Sequence, residues 1–170
     1  GTFDWVYEEE LGLRDGYRWS PDGKSIAYWQ LDEEGVPLMH MLNNMSGYYP
    51  KLITFRYPKT GETNAICRVG VVQLKNGQTT WMKVPGDPRN HYLARMEWAE
   101  SSEELHLQQL NRLQNTNRVM LANARDGEVK TVYTDRDDAW IEIRFGFTKW
   151  IDKGNQFTYV SEREGWRQVY

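Results

Sequence analysis

With 170 residues, a net charge of −3 and 39% hydrophobic content, the chain reads as a globular domain or as part of a larger one. Lys and Arg are scattered and fewer than Asp and Glu, which argues against a nucleic-acid-binding surface. No apolar run approaches the roughly 18 residues that a membrane-spanning helix needs.

Aromatic residues make up 14% of the chain, including eight Trp and ten Tyr, a bias that favours β-structure. In chain order, the first notable segment is Asp4-Trp5-Val6-Tyr7-Glu8-Glu9-Glu10, three carboxylates directly after large rigid rings. Such a cluster suits a cationic group, and a peptide's terminal amine is one candidate. Next come Trp19-Ser20-Pro21-Asp22-Gly23 as a turn and Ser25-Ile26-Ala27-Tyr28-Trp29 as a strand. The stretch between Asp32 and Thr63 is rich in Met and Tyr (Met39, Met41, Met45, Tyr48, Tyr49, Tyr57). It reads as an inserted hairpin, either packed on its own blade or used as an arm in subunit contact. Asn44-Met45-Ser46 within it matches the short glycosylation sequon.

Further on, Asn76-Gly77 and Asp126-Gly127 are hairpin signals, because glycine tolerates the positive φ of tight turns. The strand–turn–strand pattern around Gly77 repeats around Gly127, 50 residues later. A second series begins at Trp19, Trp98 and Trp150, each a Trp followed by a polar turn and a strand. The last two are 52 residues apart and the first two 79, so 79 − 52 = 27 residues of insertion belong to the first unit. A period near 50 residues with about four strands per unit is the pattern of a β-propeller blade. The expected fold is all-β: an open arc of about three four-stranded antiparallel blades with an inserted hairpin arm. An arc leaves strand edges uncovered, to be covered by another copy or by missing blades, and the abrupt start and the ending inside a strand-like run read as those of an excised piece.

The lone Cys67, in an apolar β-branched run, is expected to be a small buried hydrophobe, and it leaves no partner for an internal disulfide. His40, His91 and His106 are far apart, with no metal-ligand spacing, so each is expected to be structural or on the surface. No metal site and no cofactor is expected.

The runs Asp4 to Glu10, Tyr17-Arg18-Trp19-Ser20-Pro21-Asp22-Gly23-Lys24, Tyr49-Pro50-Lys51, Arg56-Tyr57-Pro58-Lys59-Thr60-Gly61, Asp138-Ala139-Trp140 and Ser161-Glu162-Arg163-Glu164-Gly165-Trp166 together resemble the N-terminal propeller domain of the dipeptidyl peptidase IV family of serine peptidases. The resemblance covers essentially the whole chain. It implies that Glu9 and Glu10 fall on the double-glutamate motif that binds the free amino terminus of a peptide substrate, with Glu8 preceding the motif. Two carboxylates stabilise a protonated amine, but adjacent strand residues point to opposite faces, so this segment must be a helical turn or an irregular loop. The resemblance further implies removal of N-terminal dipeptides, Xaa-Pro or Xaa-Ala, by a triad in an α/β-hydrolase domain. That domain is absent here, and the chain has no Gly-x-Ser-x-Gly nucleophile elbow, so alone it should be inactive.

The expected partners are the peptide substrate, the remaining blades and the hydrolase domain, and a homo-oligomer is expected. The match around Arg144 and Phe145 is too loose to carry a role. An alternative is a non-catalytic propeller serving as an interaction scaffold, and a propeller whose aromatics stack on sugars is a weaker third. The lack of paired cysteines favours a periplasmic or extracellular bacterial parent over a disulfide-rich animal ectodomain.

Overall fold

The computed structural model describes residues 3–143 and 148–170. A short helical turn, Val6–Glu10, precedes the first blade. That blade is formed by β1 (Tyr17–Trp19), β2 (Ser25–Asp32), β5 (Ile66–Gln73) and β6 (Thr79–Trp81), antiparallel and in the order β1-β2-β5-β6. Between β2 and β5 the chain leaves the sheet as the hairpin β3 (Leu38–Asn43) and β4 (Lys51–Arg56). The second blade is a meander of β7 (His91–Trp98), β8 (Glu104–Asn111), β9 (Thr116–Asn123) and β10 (Val129–Arg136). The third unit consists of two short pairs. β11 (Trp150–Ile151) pairs with β12 (Gln156–Phe157), and β13 (Val160–Ser161) pairs with β14 (Gln168–Val169).

The two hairpin turns expected from sequence share one geometry. Gly77 has φ +69° and Gly127 has φ +76°. In each turn the glycine N–H donates to a carbonyl four residues back, Gln73 O at 2.8 Å and Asn123 O at 2.9 Å. The preceding Asn76 or Asp126 accepts the amide of the residue after the glycine. The Trp-led turns also recur at one place, between the first two strands of each unit. In the first, Ser20 Oγ donates to Asp22 Oδ1 at 2.8 Å and accepts Ser25 N–H at 2.9 Å, and Asp22 accepts Lys24 N–H.

Burial follows the layering. On β5 the alternate residues Cys67, Val69 and Val71 are buried against the second blade, together with Ala27 and Trp29 of β2. Strand β8 is buried on both faces, because the second blade lies between the first blade and the third unit. Cys67 is a buried free thiol, as expected, and burial pushes its pKa up to about 12. His40 is exposed, whereas His91 and His106 are buried. Among the described residues, no group of three or more His, Cys, Asp or Glu could hold a metal ion.

The inserted hairpin does not lie down on its blade. It is held at its base, where Arg56 Nη1 donates to Val36 O at 2.6 Å and Tyr57 N–H donates to Pro37 O at 2.9 Å. Its tip is solvent-facing, with Met45 94% and Tyr49 84% exposed. The reading of this insertion as a hairpin packed on its own blade gives way to a projecting hairpin.

Candidate functional site

The acidic run forms a helical turn rather than a strand. Asp4 starts it: its Oδ1 accepts Tyr7 N–H at 3.0 Å, satisfying an amide that the first helical turn would leave without a partner. Its carbonyl accepts Glu8 N–H at 3.0 Å, and Leu11 N–H closes a wide i+5 turn on Val6 O at 3.1 Å. In a strand, Glu9 and Glu10 would diverge by about 180°; in an α-helical turn, successive side chains are roughly 100° apart. The segment is thus a helical turn and not a strand, as the sequence reading required.

Two buried groups fasten the turn to the second blade. Tyr7 is 1% exposed, and its hydroxyl accepts Leu93 N–H at 3.0 Å. β7 is an edge strand, so its outward amides need such partners, and the β7–β8 register shifts between Leu93 and Arg95. Arg95 is also buried; its Nη1 donates to Leu11 O at 2.9 Å and its Nη2 to Ile143 O at 3.0 Å. Burial pushes the Arg95 pKa down to about 10, which still leaves it cationic at neutral pH.

On the opposite side the turn meets the base of the arm. The Trp5 ring stacks on Phe55 of β4 at 5.7 Å and 24°, and meets Tyr57 edge-on at 5.1 Å. An open cleft runs between turn and arm, with Trp5, Glu8, Glu9, Glu33, Phe55 and Arg56 among its walls. Glu9 and Glu10 are exposed, and Glu8 is half-buried in the cleft wall. Within the described residues, no ion pair or hydrogen bond holds the Glu9 or Glu10 carboxylate. The Asp4 carboxyl is pushed up to about 6 by burial, with the Tyr7 N–H opposing the shift and Glu33 adding to it. The arrangement is an accessible acidic edge over a buried, hydrogen-bonded support, with the charge to attract a cationic ligand.

The sequence located the glutamates but gave no role to Trp5, Asp4, Tyr7 or Arg95. The Asp4 cap was readable in principle from an Asp three residues ahead of the amide it caps. The other three act through contacts distant in sequence. Arg144 and Phe145 lie outside the described residues.

Two antiparallel blades in an arc, with an acidic turn at one end and a projecting arm, define a β-propeller portion. Residues 1–170 match the family described as the dipeptidyl peptidase IV (DPP IV) N-terminal region, and the chain belongs to that family. It is similar to a probable dipeptidyl peptidase 4 of Emericella nidulans, 27% identical over the whole of this chain and 24% of the relative. It is also similar to the inactive dipeptidyl peptidase 10 of Mus musculus, 30% identical over 83% of this chain and 18% of the relative. Among solved structures, Porphyromonas gingivalis dipeptidyl peptidase 4 superposes with a TM-score of 0.90 at 30% identity, over 100% of this chain and 24% of that one. A putative dipeptidyl aminopeptidase IV of Bacteroides ovatus gives 0.85 at 25% identity, over 99% of this chain and 23% of that one. The chain thus spans about a quarter of the length of such relatives.

Proposed function

We propose that this region is the substrate-anchoring part of a serine dipeptidyl peptidase, and that Glu9 and Glu10 bind the free amino terminus of the peptide. The observation that carries this reading is the helical turn that presents two exposed adjacent carboxylates, in a chain of the dipeptidyl peptidase IV family. A protonated amine about 4 Å from one carboxylate gains on the order of 4 kcal/mol at an effective dielectric of 20, before desolvation. Pinning the amine also measures the substrate. An extended residue spans at most ~3.6 Å, so the second peptide bond lies about 7 Å from the anchor, where a nucleophile on a neighbouring domain would cut. The region contributes position and selectivity, and the bond-breaking groups come from elsewhere.

A second reading, a non-catalytic propeller scaffold, is favoured by one finding: a relative at 30% identity carries the name inactive dipeptidyl peptidase 10. Cleavage of Gly-Pro and Ala-Pro chromogenic substrates separates the two. On the first reading, the longer protein containing this region turns over both substrates and the region alone turns over neither. An inactive longer protein with a correctly folded hydrolase domain would favour the scaffold. Turnover by the purified region alone would contradict the division of labour.

A further inference from the structure

Among the described residues no hydrogen bond or ion pair fixes the Glu9 carboxylate, which lines the open cleft between turn and arm. The turn's buried side is fixed three times over, through Asp4 on Tyr7 N–H, Tyr7 on Leu93 N–H and Leu11 on Arg95. Each of these ties holds backbone or core, and none reaches the exposed side where the carboxylates lie. On that side the link between turn and arm is aromatic. Trp5 immediately precedes the turn, lies against Phe55 and Tyr57 at the arm's base, and shares the cleft wall with Glu9. It is 41% exposed, a large ring kept at the surface, where its contacts join two elements instead of filling the core.

We infer that Trp5 is a positioning residue: clamped on Phe55 and Tyr57, it fixes the cleft wall that aims Glu9 at the substrate amine, and so ties anchoring to the seating of the arm. This rests on the reading of Glu9 as an amine anchor. An aromatic pair of this kind is worth little to global stability, but a displaced carboxylate loses an interaction that weakens with distance. The loss therefore falls on binding of free-amine substrates, ahead of turnover at saturation.

The test is a double-mutant cycle in the full-length protein, with Gly-Pro chromogenic substrate and its N-acetylated form: wild type, Trp5→Ala, Glu9→Gln and the double variant. Trp5→Ala should raise KM for the free-amine substrate by about three- to tenfold with kcat little changed. In the Glu9→Gln background the same change should cost less than about twofold, because the group it aims is already neutral. Trp5→Phe should restore most of the loss, and Phe55→Ala, made from the arm's side of the contact, should reproduce it even where Trp5→Ala does not fold. Equal penalties in both backgrounds would make Trp5 merely structural and overturn the inference. So would a silent Trp5→Ala beside a damaging Glu9→Gln, an outcome that leaves the amine anchor standing. A silent Glu9→Gln would remove the anchor itself, and the inference with it.

Discussion

At the scale of the residue, Asp4 caps the turn that carries Glu8, Glu9 and Glu10. Its carboxyl does so while buried, and burial raises its pKa from 3.8 to about 6, with Glu33 adding to the shift. A carboxyl whose folded pKa is raised binds its proton more tightly in the folded state. Its stabilising contribution is therefore complete below pH 4 and lost as pH rises through about 6. Asp4→Asn keeps an oxygen acceptor for Tyr7 N–H and removes the charge that must be desolvated. The Asn variant should thus match or exceed wild type in melting temperature at pH 8, with the difference closing between pH 6 and 4. Asp4→Ala, which leaves the Tyr7 amide without its cap, should lose stability at every pH, by about 1 kcal/mol. Melting curves across that pH range decide the matter. Equal losses for Asn and Ala at pH 8 would mean that the charge itself stabilises the turn. His106 of β8 titrates in the opposite sense. Buried beside Trp150 and Phe157, its pKa is pushed down to about 4, so it favours the folded state above pH 6.5 and less so on acidification.

At the scale of the element, the two hairpin turns show what repetition does and does not determine. Gly77 and Gly127 have the same positive φ, yet an added Cβ at Gly77 meets nothing within 4 Å, whereas at Gly127 it would come within 2.2 Å of the Trp81 carbonyl oxygen. The Gly127 carbonyl also accepts Lys83 N–H at 2.8 Å, so this turn is a seam between the two blades. Gly77→Ala should cost only the left-handed backbone strain, roughly 1–2 kcal/mol. Gly127→Ala adds a clash with backbone and should cost clearly more, about 3 kcal/mol or above. Urea unfolding of the two variants checks the ranking, and equal losses would deny the seam.

Both turns and the Trp-led turns were legible in the sequence, because glycine conformation and alternation are local properties; the insertion was legible from the spacing of the Trp residues, but whether it packs or projects was not. The polar interior was not. Gln109 is buried because it donates to Pro85 O at 2.8 Å, and Asn117 because it reaches the Tyr159 hydroxyl at 2.9 Å. Such pairings depend on how the sheets stack, which a single strand's pattern does not record. The third unit was legible as a repeat, but its strands of two residues each are too short to show a period.

At the scale of the whole molecule, β8 of the middle blade is buried on both faces while the first blade leaves aromatics uncovered on its outer one. Tyr17 and Trp19 are each 54% exposed, and Arg68 stacks over Trp81 at 3.7 Å. The site sits where the first blade, the second blade and the arm meet: the turn hangs on Leu93 and Arg95 and leans on Phe55. Sequence pointed to Glu9 and Glu10 through a family resemblance, whereas their surroundings belong to this junction, which brings together residues up to 86 positions apart. The most direct test of the central claim is the steady-state rate of the full-length protein carrying Glu8→Gln, Glu9→Gln or Glu10→Gln, on a free-amine dipeptide substrate and on its N-acetylated counterpart. If Glu9 and Glu10 hold the amine, either replacement lowers kcat/KM on the free-amine substrate about ten- to a hundredfold, since a charge-assisted bond is worth about 1.5–3 kcal/mol. The acetylated substrate, already poor with the wild type, then loses much less, and Glu8→Gln has little effect. Equal losses on both substrates, or silent changes at Glu9 and Glu10 beside a damaging one at Glu8, would contradict the assignment.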